Sequence, residues 1–422
     1  MLLAVLTTFA PAVLAGQTAE AGKAPVPGRT VLYAALGAEL IQYDLDRDRA
    51  DLIRRGSVTL PANVQEAWLH PSHKYLYVAW SNGGASYPSV GGVIPRGDQH
   101  GVSAFRIDPS GALILHGKPA SLPSRPIFIT TDTDGTHVLA ASSDPSGLTV
   151  YRILPDGTIG TRVQPAAPLD FGIYGHQVRV DPSSQTVILV TRGNGPTATK
   201  PEDPGAMKIF SYKNGSLANR LSIAPGGGFG YQVRHLDFHP SGKWVFVTLE
   251  RQNQIHVYRR LADGTLSPGP LFIRDTVVEP AKHRAGQAAA SIHVHPNGRF
   301  VYVANRAGGT VDFQGKRVFA GGENTIAVFS INTATGEPTL IQSVDTHGFQ
   351  PRTFALDSSG SFLAVANQSP LSVRDRTGVS TVPASLALFR VRADGKLEFA
   401  RKVDMETTAG RNLFWTGIVS LP

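Results

Sequence analysis

One β-hairpin pattern recurs along this chain and constrains its fold more than any other feature. Its clearest copy spans residues 233–250, VRHLDFHPSGKWVFVTLE, in which two runs of strand-forming residues flank a His-Pro-Ser-Gly turn. Other copies occupy residues 65–81, 127–143, 177–192, 290–306 and 351–368. Because the copies share one pattern, equivalent positions in them should occupy equivalent places in the fold.

The spacing of the copies indicates what kind of unit repeats. One turn residue marks each copy, in the order His73, Gly135, Ser184, Gly242, Gly298 and Gly360. Successive turn residues lie between 49 and 62 residues apart. Each hairpin is followed by a third strand-like segment of alternating apolar residues, then by a turn that contains glycine, and then by a fourth strand-like segment. Repeats of this length that carry strand signals and no helical periodicity are typical of four-stranded propeller blades. Six complete blades are therefore predicted.

The two ends of the chain supply the parts of a seventh blade. Residues 30–43 contain two strand patterns, followed by a turn-rich stretch over 44–51, and residues 412–419, NLFWTGIV, contain one more. Pairing of the N- and C-terminal strands would close the ring and remove its open edges. The sequence thus predicts an all-β fold, a seven-bladed β-propeller of four-stranded antiparallel blades closed by the terminal strands. This single domain would span residues 29–422, and rings of six or eight blades are the alternatives.

Composition supports one β-rich domain and limits the classes of partner. The 422 residues include 44 glycines and 30 prolines, apolar residues make up 41%, and no compositional break divides the chain. The formal net charge is +8, but Lys and Arg are scattered, without a run of five or more. This distribution does not predict a nucleic-acid interface and instead suits a small anionic ligand bound by clustered arginines. With no cysteine, the chain has no thiol nucleophile.

The N-terminal stretch has the properties of an export signal. Residues 2–15, LLAVLTTFAPAVLA, are apolar, and small residues precede Gly16. A membrane-spanning helix needs about 20 apolar residues, so this stretch is too short to span. We predict a signal peptide over residues 1–15, a linker over 16–28, and a periplasmic or secreted protein that is free of the membrane after cleavage. The alternative is an apolar N-terminal segment with no role in export.

Long glycine-containing insertions interrupt the repeat. They occupy residues 82–100, 193–206, 277–287, 307–323 and 369–383, and four of them follow the second strand of a unit. Connections at the same level of a propeller lie on the same rim, so these insertions are expected to gather on one face. Loops on a rigid scaffold are where binding sites usually lie.

Polar residues recur at fixed distances from the turns. Eight residues after the marks stand Ser81, Ser143, Arg192, Glu250, Arg306 and Gln368. Eight residues before the marks stand Gln65, Ile127, His176, Arg234, Ala290 and Arg352. Residues equidistant from a hairpin turn face each other across the two strands, so both sets should lie at the same end of the inner hairpins. In a closed ring, that end surrounds one mouth of the central channel.

Several of these side chains could bind an anion and exchange protons. The residues with suitable side chains are His176, Arg192, Arg234, Glu250, Arg306, Arg352 and Gln368. Arginine presents a planar fork that suits a carboxylate or phosphate, and a carboxylate among guanidiniums should stay ionised. Histidine exchanges protons near neutral pH. The alternative is a ring of structural ion pairs where the strand ends reach solvent.

The repeat units resemble those of a known family. The segments at 233–250, 290–306 (ASIHVHPNGRFVYVANR) and 351–368 (PRTFALDSSGSFLAVANQ) are similar to those of the lactonase family of seven-bladed propellers. That family includes propeller-type 6-phosphogluconolactonases and carboxy-muconate lactonizing enzymes. By motif, the resemblance implies a catalytic set of His176 in YGHQV, Arg234 in VRH, Glu250 in TLE and Arg306 in ANR. The other polar residues that the register places at this mouth, Arg192, Arg352 and Gln368, are the candidate substrate-binding residues.

Three functions are compatible with these residues. The resemblance implies hydrolysis of a sugar-type lactone, in which Arg234 and Arg306 stabilise the developing oxyanion. Glu250 or His176 would activate water, and the other would orient it or protonate the leaving alkoxide. A second possibility is a non-catalytic exported propeller that binds a ligand or a protein through its loops. A third is a lactonizing isomerase of the muconate type, which would use the same arginines.

Other potential sites are weaker. The pair His293-x-His295 has the spacing of a metal site on a strand. However, His295 occupies the turn position that His70 and His239 also hold, each before proline, which indicates a structural turn role. The glycine-rich stretch at 225–229 lacks a P-loop lysine, and no Gly-x-Ser-x-Gly motif is present. The sequence therefore predicts no metal, and the resemblance implies no organic cofactor and a small anionic lactone or sugar acid as the partner.

Overall fold

The computed structural model describes residues 29–84, 88–89, 92–93, 96–282, 284, 286–376, 378–407 and 411–421. The predicted signal peptide (1–15) and linker (16–28) lie outside these residues. The described part of the chain forms seven blades of β-strands around a central channel, which confirms the predicted seven-bladed propeller. No helix within it is long and apolar enough to cross a membrane.

Each blade is an antiparallel sheet that runs outward from the channel. From the innermost strand outward, the strands are Leu413–Ser420, Thr30–Leu36, Glu39–Asp46 and Asp51–Thr59 in blade 1; Asn63–Leu69, Tyr75–Ser81, His100–Ile107 and the short Leu113–Leu115 and Ala120–Ser121 in blade 2; Pro126–Thr131, His137–Ser143, Ser146–Ile153 and Ile159–Val163 in blade 3; and Gly175–Val180, Thr186–Thr191, Ala206–Lys213 and Ser216–Ile223 in blade 4. They are Val233–Phe238, Trp244–Leu249, Gln254–Arg259 and Phe272–Asp275 in blade 5; Ala288–Val294, Phe300–Arg306, Thr325–Ile331 and Pro338–Asp345 in blade 6; and Pro351–Leu356, Phe362–Asn367, Ser385–Val391 and Leu397–Asp404 in blade 7.

Blade 1 closes the ring as the sequence predicts. The C-terminal strand Leu413–Ser420 pairs antiparallel with Thr30–Leu36, all of whose residues are buried. The outermost strand of this blade, Asp51–Thr59, was not predicted. Its sequence, DLIRRGSVT, is mostly exposed and has no sustained apolar alternation, so the signal used to assign the other strands is absent here.

The hydrophobic core lies between the blades. The described residues form seven buried apolar clusters, and each cluster joins two adjacent blades. Between blades 4 and 5, for example, Ile188 and Val190 pack with Val245 and Val247. A blade in this arrangement is covered on both faces, which explains why a strand such as Trp244–Leu249 is buried along its whole length.

Histidines in the hairpin turns, on the face opposite the insertions, form hydrogen bonds between three pairs of neighbouring blades. The predicted turn residues all have left-handed φ values, between 54° and 72°. The imidazoles of His70, His239 and His295 lie 3.0, 2.7 and 2.9 Å from a carbonyl oxygen in the next blade's turn. The acceptors are Gly135, Gly298 and Gly360. These contacts confirm the structural turn role predicted for the three histidines.

The innermost strand of every blade carries one extra residue near its N-terminal end. The register shifts fall at Gln65, Ile127, His176, Arg234, Ala290, Arg352 and Phe414. A β-bulge of this kind re-aims a side chain. It also corrects the predicted pairing, because Arg192 N donates to Tyr174 O at 2.9 Å and Glu250 N donates to Gln232 O at 2.8 Å. Residues eight positions either side of the turn are therefore offset and not opposite.

The bulges create two stacked rings of seven residues at the channel. We call the residues at the register shifts the bulge ring; most of them line a cavity of about 520 Å³. The next residue of each strand forms the lower ring, and all of these residues line a second cavity of about 430 Å³. The members of the lower ring are Glu66, Phe128, Gln177, His235, Ser291, Thr353 and Trp415.

The insertions lie on the bulge-ring side of the propeller, as predicted. They connect the second strand of a blade to its third strand, or one blade to the next, and both kinds of connection lie at that end of the strands. Two of them form small hairpins, Thr310–Phe313 with Lys316–Phe319 and Leu371–Arg374 with Val379–Val382, and Pro88–Ser89 pairs with Gly92–Val93. The hairpins of blades 6 and 7 touch, with the Arg374 guanidinium 4.3 Å from the Phe313 ring centroid. Residues Pro225–Gly228 form a short 3₁₀ turn.

Candidate active site

Six of the seven predicted site residues line the 520 Å³ cavity at the bulge ring. They are His176, Arg192, Glu250, Arg306, Arg352 and Gln368. Blades 4 to 7 contribute these side chains, so they meet because the blades are arranged in a ring. Four arginines and one glutamate are among the described residues that line the cavity, which makes it cationic.

Glu250 lies within an arginine cluster. Arg192 Nη1 donates to Glu250 Oε2 at 3.0 Å, and Arg306 Nη2 donates to Glu250 Oε1. Arg234 Nε lies 3.9 Å from Glu250 Oε1. Burial by itself would raise the pKa of Glu250, but the guanidiniums outweigh burial and hold that pKa well below its ordinary value. Glu250 therefore stays ionised and fixes the positions of two arginines.

Arg234 is the one predicted site residue that does not line the 520 Å³ cavity. Its Nε lies 3.9 Å from Oε1 of Glu250, and Glu250 itself lines that cavity. Its side chain is fully buried, and no described residue accepts a hydrogen bond from Nε, Nη1 or Nη2. Burial, followed by the nearby charges of Arg306 and Arg352, lowers the pKa of Arg234. Buried donors without a protein acceptor are rare in folded proteins and mark positions that need a functional explanation.

His176 lines the cavity at the bulge of blade 4. Burial and the charges of Arg234 and Arg352 hold the pKa of His176 well below its ordinary value, so the imidazole is neutral at neutral pH. Its Nδ1 atom is buried without a hydrogen-bond partner among the described residues. Its ring centroid lies 5.1 Å from that of His235 in the lower ring. The site thus contains a neutral imidazole that can accept a proton.

Arg352 is held at the cavity by an aromatic ring. Its guanidinium carbon lies 4.0 Å from the ring centroid of Phe414, and both residues belong to the bulge ring. Burial and the neighbouring charges of Arg306 and Arg125 lower the pKa of Arg352 to about 9, so the group is still charged at neutral pH. A cation–π contact orients the guanidinium plane and leaves its N–H donors available to a ligand.

The cavity lining also includes residues that were not predicted, among them Arg125 and Tyr174. Arg125 lines the cavity, and its Nε donates to Gln65 Oε1 at 2.8 Å. Tyr174 also lines the cavity and supports Arg192, whose guanidinium lies 4.2 Å from the tyrosine ring centroid. Both residues stand ten positions before their turn mark, so extending the count beyond eight would have found them.

A second carboxyl group lies below the cavity. Glu66 belongs to the lower ring, and only 8% of it is exposed. Burial raises the pKa of Glu66 to about 8, although the charges of Arg352 and Arg234 and a hydrogen bond with the Trp415 side chain act in the opposite direction. Glu66 stands seven positions before its turn mark, next to the position used for the prediction, and was therefore missed.

The raised pKa of Glu66 makes stability depend on pH. The folded protein keeps a proton that the unfolded chain releases above its ordinary pKa of 4.5. This stabilisation is fully present below pH 4.5 and is lost as pH rises through about 8. Glu66→Gln avoids the loss, so the Tm of the variant minus that of the wild type should increase by about 5 °C between pH 5 and pH 9.

Thermal unfolding at the two pH values measures this effect. The matched control is Glu398→Gln, which changes an exposed glutamate on the outer strand of blade 7 and should give the same Tm difference at both pH values. A pH-independent difference for Glu66→Gln would contradict the raised pKa.

The described residues contain no group of three or more His, Asp or Glu side chains that could hold a metal ion. The two histidines with metal-like spacing have different partners. His295 contacts the Gly360 carbonyl oxygen in a turn, while His293 Nδ1 lies 4.0 Å from Asp237 Oδ2. The cationic cavity suits an anionic or strongly polar ligand.

Comparison with known proteins shows the family. Residues 30–375 match the family described as Lactonase, 7-bladed beta-propeller. The chain belongs to this lactonase family. A relative from Pectobacterium carotovorum, named 6-phosphogluconolactonase, is 29% identical over 74% of this chain and 80% of its own length. A relative of the same name from Bacillus subtilis is 30% identical over 64% of this chain and 71% of its own length.

Solved structures share the architecture of this lactonase-family propeller. A protein from Lactobacillus plantarum is 22% identical, with a TM-score of 0.66 over 93% of this chain and 98% of its own. PpgL from Pseudomonas aeruginosa, described as a periplasmic gluconolactonase, is 19% identical, with a TM-score of 0.65 over 93% of this chain and 100% of its own. At these identities the likeness supports the fold.

Proposed function

We propose that this lactonase-family propeller hydrolyses a sugar-type lactone. The observation that carries the proposal is the cavity in which ionised Glu250 fixes two arginines beside the neutral imidazole of His176. The curated relatives named 6-phosphogluconolactonase match most of the chain and support the same reaction class. A sugar lactone presents a polarised carbonyl and several hydroxyl groups, which suit an arginine-lined cavity.

The arginines can stabilise the charge that develops on the carbonyl oxygen. Arg306 is held by Glu250, and Arg352 is held by Phe414. Because both guanidiniums are oriented before the substrate binds, they can donate to an oxyanion with little reorganisation. Arg234, which does not line the cavity, would act by supporting Glu250 and not by touching the substrate.

His176 is the better candidate for the general base. Both carboxylate oxygens of Glu250 already accept hydrogen bonds from arginines, whereas Nδ1 of His176 has no partner among the described residues. In the proposed reaction, His176 removes a proton from water as the water oxygen bonds to the lactone carbonyl carbon. The oxyanion then collapses, the ring C–O bond breaks, and the leaving alkoxide takes the proton from His176. The product is the open hydroxy acid.

A direct assay tests the reaction. Acid release from glucono-δ-lactone and from its 6-phosphate should exceed the spontaneous rate in the presence of purified protein, as followed in a pH-stat. A kcat/KM above about 10⁴ M⁻¹s⁻¹ for any lactone of the panel would place the protein among ordinary enzymes. Rates equal to the spontaneous reaction for every lactone would remove the proposal.

Two other results would assign a different function. Binding of a ligand without turnover of any lactone would make the protein a non-catalytic propeller. Formation of a lactone from a carboxy-muconate would make it a lactonizing isomerase. All three functions use an anion-binding cavity, so product analysis separates them and arginine variants do not.

We also propose that the protein is exported to the periplasm or secreted. This proposal rests on the apolar sequence of residues 2–15, which lie outside the described part of the chain. N-terminal sequencing of protein from fractionated cells tests it, since recovery of the intact N-terminus in the cytoplasm would exclude export.

A further inference from the structure

The catalytic cavity has a second lobe. We call the 520 Å³ cavity at the bulge ring the inner lobe. An adjoining cavity of about 700 Å³, the outer lobe, lies over blades 5 and 6. The two lobes share a wall formed by Arg192, Glu250, Arg306 and Gln350. The arginine–glutamate cluster therefore lies between two spaces, and a ligand bound to it can extend into both.

Glycines allow close packing at the wall of the outer lobe. Gly286 and Gly308 line it and come from two insertions, residues 277–287 and 307–323. A Cβ atom added to Gly308 would lie 2.1 Å from Gln350 Nε2, and one added to Gly286 would lie 3.1 Å from the backbone nitrogen of Gly309. Side chains at these positions would push into the lobe or displace its wall. The proposed reaction at the inner lobe does not use the space of the outer lobe.

The outer lobe is polar and cationic. The described residues that line it include no aromatic and no large aliphatic side chain. Two of them, Arg251 and Arg284, carry guanidiniums that form no ion pair within the described part of the chain. Arg251 lies across the backbone of Gly195, where an added Cβ would be 1.9 Å from Arg251 Nη1. The insertion at 193–206 thus contacts the Arg251 guanidinium, and the absence of a side chain at Gly195 leaves room for it.

We propose that the outer lobe is a subsite for an anionic second sugar unit, so that the substrate is the lactone of an acidic disaccharide. The inference rests on the proposed lactone hydrolysis. A single lactone ring bound to the arginine–glutamate wall fills one lobe only, so the other lobe would contain no part of the substrate. A second hydrophilic unit fills the outer lobe, and its carboxylate or phosphate meets the guanidiniums of Arg251 and Arg284.

Binding of the open sugar acids tests the subsite without requiring turnover. The probes for calorimetry are gluconate, lactobionate (an aldonate whose second sugar unit is neutral), an aldonate bearing a uronic acid unit, and 6-phosphogluconate. The uronic acid probe should bind the wild type about tenfold more tightly than lactobionate, because a charge-assisted pair with arginine is added. Arg251→Ala should reduce this preference about five- to tenfold.

The matched control is Arg162→Ala, which removes an exposed arginine from the outer strand of blade 3. This control should retain the full preference of the wild type. The subsite is excluded if gluconate, lactobionate and the uronic acid probe bind equally, or if Arg251→Ala weakens all of them by the same factor. It is also excluded if only 6-phosphogluconate depends on Arg251, since the lobe would then take the phosphate of a single sugar.

Turnover separates this proposal from the reaction on which it rests. If no lactone is hydrolysed but the uronic acid probe still binds selectively through Arg251, the subsite stands and the proposed reaction fails. If gluconolactone is hydrolysed and the selectivity is absent, the reaction stands and the subsite fails. The ratio of kcat/KM for the acidic disaccharide lactone to that for gluconolactone should fall about five- to tenfold in Arg251→Ala.

Discussion

His176→Gln is expected to lower kcat for lactone hydrolysis by about 10²–10⁴-fold, the range typical of a lost general base. Glutamine retains a polar side chain at the bulge of blade 4 but cannot accept the proton of the attacking water. The arginines remain in place, so KM should change much less than kcat. Initial rates from acid release, measured with glucono-δ-lactone across a range of concentrations, separate the two parameters.

The pH profile gives this prediction a readout that a structural role would not change. Because the pKa of His176 lies well below 6.5, the imidazole stays deprotonated as the pH falls below that value. The acid limb of kcat/KM in the wild type should therefore lie well below pH 6.5, and it should be absent from the residual activity of His176→Gln.

His235→Gln is the matched control, since His235 is similarly buried and its ring centroid lies 5.1 Å from that of His176. His235 belongs to the lower ring, so its replacement should lower kcat less than about tenfold, short of the loss expected for a missing base. Equal losses in the two variants, or an acid limb at pH 6.5 or above, would show that His176 is not the base.

The sequence predicts the fold and most of the site for one physical reason. A blade cannot bury both faces alone, so each unit repeats the same strand pattern and the same turn. Once the repeat is aligned, equal distance from the turn means equal height in the ring. This is why residues as far apart as Arg192 and Gln368 could be assigned to the same mouth, where the structure places them.

The features that the sequence did not predict arise where the structure departs from a regular hairpin repeat. The register shift in each inner strand leaves no compositional signal, yet it offsets the pairing that was expected at His176 and Arg352. Arg234 has the same repeat position as His176 but does not line the cavity. Such differences depend on the neighbouring side chains. Glu66 was missed for another reason, because it stands seven residues before its turn residue and the comparison used the position eight residues before it.

The outer lobe could not be predicted either. One side of it is formed by insertions, which lie outside the repeat and have no equivalent position in the other blades. Topology is enough to predict on which face the insertions lie. The close approach of Gly286 to Gly309, however, depends on how two loops pack against each other. Sequence spacing carries no information about that distance.

Glu250→Gln is expected to destabilise the protein by about 3–5 kcal/mol and to abolish measurable hydrolysis. The substitution preserves the size of the side chain and removes the charge that offsets three guanidiniums, two of them in direct hydrogen bonds. The remaining positive charges then repel one another in a buried site. Denaturant unfolding at pH 7 measures the change in the free energy of unfolding.

A surface glutamate that also pairs with two arginines shows how much of the expected destabilisation comes from burial and how much from the loss of ion pairs. Glu39 also bonds two arginines, Arg54 at 2.7 Å and Arg411 at 2.8 Å, but their side chains are 58% and 37% exposed, against 5% and 19% for Arg192 and Arg306. Solvent screens that cluster, so Glu39→Gln should change the free energy of unfolding by about 1 kcal/mol or less. Similar values for the two variants would mean that the Glu250 cluster is as well solvated as a surface one.

The effect of Glu250→Gln should also depend on pH in a defined direction. The folded-state pKa of Glu250 is lowered, so its contribution is fully present above the ordinary value of 4.5 and is lost as pH falls towards the folded-state pKa. The difference between wild type and variant should therefore be constant from pH 8 to about pH 5 and decrease below it. Glu66→Gln has the opposite dependence, because the pKa of Glu66 is raised. If the stability effects of the two substitutions depend on pH in opposite directions, the arginine charges determine the pKa of Glu250 and burial determines the pKa of Glu66.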